Sequence, residues 1–395
     1  MSVKKLRTVV SQKFGIHVSV GQCRRAKKYA PQLIDGTQVE HYAKLWSYAE
    51  EIRISNLGST VKIDVNRMPD GKKYFSKFYV CFDTPKKEWK EGCKKIIGLD
   101  GCFLKGICKR ELLCVVERDA NNEIYPIAWA VVCVENKENW RWFLDLLIDD
   151  LGLNLGYGYS VISDQHKVLI KAVKELLPYV EHRQCAKHIS QNLRKMYSGA
   201  QYESIFWKAC KVTIEVDFKV SMKELEVLDP SAYQYLIDKD PKTWSRAYFQ
   251  PGRCCDAMEN GMSESFNVVI VDARKNPTIT MLEELRMYMM ERVFNKKCKG
   301  LGRGNQICPT IREIANEIKK GLRHYQVLPS GLNQFEVRGT TDAYELDLEE
   351  RTCSCRLWQL NGIGCVHSIA AISFMNRDVE SYVDKMFCSI TYMKA

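Results

Sequence analysis

The sequence predicts a mixed α/β fold: a sheet core interrupted by helices, a basic helical segment ahead of it and a small cysteine-rich unit behind. Three observations predict it. Across 95–190 the apolar runs follow the order strand, strand, strand, helix, strand, helix, strand. The first three strands can form an antiparallel meander, and the later alternation with helices implies parallel pairing. From about 190 to 325 the apolar residues recur at helical spacing. The segment after 325 returns to short strands and carries Cys353, Cys355, Cys365 and His367 in two tight pairs. The expected division is 1–60 (basic, helical), 61–190 (first part of the core), 191–255 (helical insertion), 256–325 (last part of the core) and 326–395 (cysteine-rich unit).

The elements follow in order. Residues 3–14 place Leu6, Val9, Val10 and Phe14 on one helical face. A break at 15–17 precedes Ser19 and, three residues later, Gln22, a capping box that opens a second helix over 22–29. A third helix, 41–54, carries Leu45, Tyr48, Ala49 and Ile52 at matching spacing. Segments 60–65 and 74–83 alternate as strands do. Strands over 95–100, 112–118 and 124–134 follow, the last two joined by the turn cluster 119–123. Then come a helix at 139–151, a strand at 159–164, a helix at 166–177 and a strand at 179–182. Helices are expected at 205–212, 218–228, 232–237, 281–297 and 311–324, with a glycine-rich loop over 298–310. Strands at 325–328, 334–338 and 344–348 lead into the cysteine pairs, and a helix over 365–374 follows. Trp207 and Trp244, within the helical stretch, are expected in the core.

Composition narrows the function classes. The chain has 395 residues, 46% of them hydrophobic and 27% charged, which is ordinary globular usage. Its longest apolar run, 125–134, is about half the length a membrane span needs. Seventeen scattered cysteines without an export signal argue against a disulfide framework and for metal ligands and small buried hydrophobes. The net charge is +11, and eight basic residues with no acid fall within 1–30: Lys4, Lys5, Arg7, Lys13, Arg24, Arg25, Lys27 and Lys28. Such a patch suits a phosphate backbone, and equally a solubilising tail.

Two constellations carry chemistry. Asp100 and Asp164 each end a short strand, 64 residues apart. If those strands lie side by side, both carboxylates emerge at one sheet edge. With Glu264, which opens an apolar helical run, they offer an oxygen-rich site suited to Mg²⁺ or Mn²⁺. An Asp at a strand end is also a common turn former or helix cap. The second constellation, Cys353-x-Cys355 with Cys365-x-His367, supplies three thiolates and one imidazole, a closed structural zinc set.

At these residues the sequence resembles a known family. Ile97-Gly-Leu-Asp-Gly-Cys-Phe-Leu-Lys-Gly106, Ser163-Asp-Gln-His-Lys167 and Met262-Ser-Glu-Ser-Phe-Asn267 resemble the three acid motifs of plant Mutator-like (MULE) transposases, and Glu181–His188 resembles their Cys-x-x-His element. The segment 353–367 resembles a SWIM zinc finger, with Gly364 where many relatives have proline. The likeness is colinear from about residue 5 to 392. It implies an RNase H-like core with a DDE triad at Asp100, Asp164 and Glu264. The implied chemistry is metal-dependent DNA strand cleavage followed by attack of the freed 3′-OH on target DNA. It also implies DNA partners, self-association on paired ends and a nuclear location. Lys4, Lys5, Arg7, Arg24, Arg25, Lys27, Lys28, Arg351 and Arg356 are the expected DNA contacts. Cys185 and His188 stand at i, i+3 and could share a zinc, but two ligands do not close a tetrahedral site; the other reading is a buried Cys beside a His that orients Asp164 or a phosphate. Relatives usually carry a zinc-binding DNA module ahead of the segment where this chain opens, so a truncated or domesticated relative is expected alongside an active one. The alternative function is a catalytically silent DNA-binding regulator.

Overall fold

The computed structural model describes residues 2–394 except 36–37, 68, 70, 72, 107–108 and 301–305; the side chains of 28–35, 38–39, 41 and 73, Lys28 among them, also lie outside the described residues. Three helices open the chain: α1 (Val3–Phe14), α2 (Val20–Asp35) and α3 (Gln38–Ser55). The capping box forms as the spacing requires: Gln22 N–H donates to Ser19 Oγ (3.1 Å) and Ser19 N–H to Gln22 Oε1 (2.7 Å). Helix α3 buries Leu45, Ala49 and Ile52 in the main core. Lys4, Lys5, Arg7, Arg24, Arg25 and Lys27 are all exposed.

The sheet follows: β1 (Thr60–Arg67), β2 (Lys73–Cys81), α4 (Asp83–Gly92), β3 (Ile96–Phe103), β4 (Glu111–Arg118), β5 (Ile124–Val132), α5 (Lys137–Leu151), β6 (Ser160–Ser163), α6 (Lys167–Leu176) and β7 (Glu181–Gln184). Its seven strands lie in the order β1-β2-β5-β4-β3-β6-β7. The expected five strands are widened by β1 and β2, joined where Phe78 pairs with Val131. Phe78 and Val80 are buried there, so the β5 edge is covered rather than left open. Pro126 is tolerated inside strand β5 because it stands at a bulge of its own strand: Val115 pairs with Ala128 and Val116 with Pro126, which leaves Ile127 as the extra residue. Helix α4 is not among the expected elements. Its sequence is mostly Lys, Glu and Asp, and Pro85 and Trp89 alone give it an apolar side.

Strands β3 and β4 are antiparallel, whereas β3, β6 and β7 are parallel. Gly98 pairs with Ile162. Continuing that register sets Asp164 level with Asp100, on strands that neighbour at about 4.8 Å.

Helices α7 (Ala186–Met196), α8 (Ala200–Lys211), α9 (Glu215–Leu228) and α10 (Pro230–Ile237) form a second core around Phe206, Phe218, Trp244 and Phe249, with Trp207 at its margin. The buried Arg183 of β7 ties this block to the sheet: its guanidinium donates to Cys255 O (2.7 Å) and Glu181 Oε2 (3.0 Å) and stacks on Phe249 (4.1 Å). Helix α11 (Gly261–Val269) returns across β3 and β4, followed by α12 (Thr278–Gly300) and α13 (Pro309–Lys319). Residues 298–300 finish α12, so the expected loop begins later, and 301–305 lie outside the described residues.

The C-terminal unit has β8 (Gln326–Pro329), β9 (Gln334–Arg338), β10 (Ala343–Asp347), β11 (Thr352–Cys353), α14 (Leu357–Asn361) and α15 (Val366–Phe374). Its four strands run in the order β11-β10-β9-β8, with Ile369 of α15 packed on Phe335, Val337 and Leu346. The chain then leaves this unit. Helix α16 (Ser389–Lys394) packs against α12 and α4, and Cys308 N–H donates to Phe387 O (2.9 Å). No helix among the described residues is long and apolar enough to cross a membrane.

Candidate acid site and metal centres

Three strands pointing the same way, β3, β5 and β6, deliver acids to one edge of the sheet. Asp100 lies within β3, Asp164 directly after β6 and Glu135 three residues after β5. Asp100 Oδ1 accepts the Gly101 N–H (2.9 Å) and Oδ2 accepts Asn267 Nδ2 (2.7 Å). Burial first, then the charge of Asp164, push the Asp100 carboxyl up to about 7, with Glu135 adding to the rise and His188 opposing it. Two carboxylates side by side with part of their hydration removed repel each other. That is the environment a divalent cation neutralises, and the donors are all oxygen.

Glu135 is the acid that sequence reasoning missed. It accepts Trp140 Nε1 (3.0 Å) and lies 2.8 Å from His166 Nδ1. A Cβ on Gly101 would meet its Oε2 at 2.7 Å, so only glycine lets it reach over the sheet beside Asp100. Burial raises its pKa as well. The signal was available in the strand order, since β5 runs parallel to β3 and ends at the same edge.

The strand end that carries Asp164 is held from below. Ser163 Oγ donates to Asp164 O (2.9 Å) and stands 2.8 Å from His182 Nε2 on β7. With its single proton so used, Ser163 leaves His182 the role of donor. Burial depresses His182 to about 4, keeping it neutral.

Helix α11 approaches so closely that a Cβ on Gly98 would meet Asn260 Oδ1 at 2.6 Å and Ser263 Oγ at 2.7 Å. Asn260 Nδ2 pins the crossing to Leu99 O (3.0 Å). This brings Asn267 onto Asp100. Glu264, one turn earlier, turns instead toward α7. Its Oε2 is 2.5 Å from Lys187 Nζ, and its carboxylate lies within 4.8 Å of the Cys185 and His188 donor atoms. Asp100 and Asp164 are thus brought together, while the third acid engages the Cys-x-x-His element.

The second centre is compact. Donor atoms of Cys353, Cys355, Cys365 and His367 all lie within 4.8 Å of one another, and all four residues are buried. Cys353 Sγ is 3.6 Å from His367 Nδ1. Zinc bond lengths of about 2.3 Å to sulfur and 2.0–2.1 Å to nitrogen give a tetrahedral S–N edge of about 3.6 Å, so Nδ1 is the metal-facing nitrogen. Tyr344 stacks on the His367 ring (4.1 Å) and fixes its plane. Hydrogen bonds from Cys353 and then Cys355 hold the Cys365 thiol well below its ordinary range. Cys365 also caps α15 reciprocally with Ser368, so the third thiolate is placed by the helix it starts.

A family model described as the MULE transposase domain matches residues 96–192, and one described as the SWIM zinc finger matches 335–376. The chain carries a MULE transposase domain and a SWIM zinc finger. The MULE match runs from the strand of Asp100 through the helix of His188, and the SWIM match encloses all four zinc donors. Glu264 lies beyond the matched MULE span. No curated protein matches the chain.

One expected contact needs correction. Arg356 is not a free DNA contact. Its guanidinium donates to Thr213 O (2.8 Å), Phe249 O (2.8 Å) and Ala247 O, which spends it inside the chain and fastens the zinc finger to the helical block. Trp358, two residues on, is buried in the finger's core. Arg351 remains exposed, with one bond to Ser381 O (3.2 Å).

Proposed function

We propose that this chain is a DDE-type DNA transposase, or a protein derived from one, built on an RNase H-like core with Asp100, Asp164 and Glu264 as its triad. The register that sets Asp100 level with Asp164 supports this reading most directly. Asp100 and Asp164, with Glu264 alongside, would hold Mg²⁺ or Mn²⁺. Bound there, the metal would activate an attacking oxygen and stabilise a leaving one in phosphodiester chemistry. The protein's own part is positioning. Asn267 and the Gly101 N–H orient Asp100. The Ser163–His182 pair braces the strand end of Asp164. Lys187 balances the charge of Glu264. The exposed basic head gathers the phosphate backbone without reading sequence. Self-association on paired DNA ends and a nuclear location go with this reading.

One observation favours a catalytically silent DNA-binding regulator: Glu264 is engaged by Lys187 and the Cys185–His188 pair rather than by Asp100. Mn²⁺-dependent nicking of DNA separates the two. The transposase reading expects cleavage by the wild type and none by Asp100→Asn or Asp164→Asn, with DNA affinity unchanged in all three. Cleavage that persists in both variants would remove the acid pair from the mechanism. DNA binding without cleavage under any metal would establish the regulator.

A further inference from the structure

We infer that Cys185, His188 and Glu264 form a second metal site, for a zinc-class divalent ion, where two helix N-termini meet. Cys185 is the N-cap of α7, and His188 stands three residues on, so both side chains gather at the first turn. Glu264 lies in the first turn of α11. The two helix ends are sewn together: Ala186 N–H donates to Met258 O (2.8 Å), and Asn260 N–H donates to Cys185 Sγ (3.3 Å). Helix N-termini favour anionic groups, and here they face a thiol and a carboxylate.

The donor set defines the ion. One sulfur, one imidazole nitrogen and one carboxylate oxygen lie within 4.8 Å of one another. Tetrahedral zinc with bonds of about 2.0–2.3 Å requires donors roughly 3.3–3.8 Å apart, so an inward shift of about 1 Å closes the shell. A thiolate selects zinc over magnesium, which prefers oxygen alone. His188 Nδ1 is buried and has no hydrogen-bond partner. A nitrogen left so costs free energy, which a metal bond or relaxation of the ring toward one removes. Three protein ligands leave the fourth position for water or a phosphate oxygen.

The inference does not depend on whether Asp100 and Asp164 cleave DNA. It bears on that question because Glu264 would serve two sites, so zinc here competes with Glu264 completing the triad. Lys187, paired with the same carboxylate, is the competitor already in place.

Metal analysis of the purified full-length chain tests it. The wild type should hold two zinc ions, one in the finger and one here. Cys185→Ser, His188→Gln and Glu264→Gln should each hold one, and Cys365→Ser should also hold one. Asp100→Asn should keep both, which distinguishes this site from the acid pair. With Co²⁺ in place of zinc, Cys185→Ser should lower the thiolate-to-metal absorption by about one quarter, one thiolate of four. His188 and Glu264 are only partly buried, so their variants keep the result readable if Cys185→Ser unfolds. A wild type with a single zinc that Cys365→Ser removes, or two ions retained in any of the three site variants, would overturn the assignment.

Discussion

A buried carboxylate beside another carboxylate destabilises its own fold, and Asp100 is in that position. Its folded pKa, about 7, lies above the ordinary aspartate value near 3.9. The sign follows from proton binding. The folded state holds the proton more tightly, so this contribution to stability is fully present below about pH 4 and is lost as pH rises toward 7. Asp100→Asn removes the penalty while still offering an oxygen to the Gly101 N–H. In metal-free buffer at pH 8 the variant should therefore be more stable than wild type, by roughly 1–3 kcal/mol once partial solvent access is allowed for. Urea unfolding at pH 5 and pH 8 checks this, since the gap should widen with pH and shrink when Mn²⁺ is added to the wild type. Equal stabilities at pH 8 would show that neither burial nor the neighbouring acid raises the Asp100 carboxyl in the folded chain.

Individual elements show what the sequence disclosed. The first helix, 3–14, has the expected bounds because Ser2 and Gly15 cap it with strong local chemistry: Ser2 Oγ accepts the Lys5 N–H, and Gly15 takes a φ of 65°. The strands of the core were legible from apolar runs bounded by turns, and the Asp100–Asp164 spacing was legible as two acids at strand ends. Helix α4 was hidden because its burial rests on two apolar side chains. Glu135 was hidden because it acts through strand direction, which no local pattern encodes. The inward duty of Arg356 was hidden because a basic residue in a zinc finger looks the same whether it faces solvent or carbonyls. For the head, charge predicts behaviour directly: Lys4, Lys5 and Arg7 are exposed along α1. Replacing all three with glutamine should reduce the slope of log K against log salt for duplex DNA by up to about 2.7, roughly 0.9 for each phosphate no longer neutralised. An unchanged slope in filter binding or anisotropy would place the DNA elsewhere.

Across the whole molecule, the finger is fastened rather than tethered. Arg356 donates to the helical block, Thr213 Oγ1 donates to Cys355 O (2.5 Å), and Gly252 N–H donates to Gln359 O (3.2 Å). Stripping zinc with a chelator, or Cys365→Ser, should therefore do more than melt residues 335–376. Hydrogen exchange should rise in the finger first and then around Ala247 and Phe249, while β3, β4 and β5 stay protected. Arg356→Ala should reproduce the second effect with zinc still bound, at a cost of about 2–4 kcal/mol for the missing charge-assisted bonds. If exchange rises only within the finger, the fastening carries no stability.

The register of β3 with β6 also sets rules for how this chain can change length. Between Asp100 and Asp164 the path crosses turns and a whole helix, and residues added in the turn at 119–123 would leave both acids level. One residue added inside β6 would not, because side chains alternate between faces and Asp164 would swing to the far side of the sheet. Relatives in which the gap between these two acids grows should therefore have grown at the turns, and a lineage that gained an odd residue within a strand would keep both aspartates in its sequence while losing the pair in space.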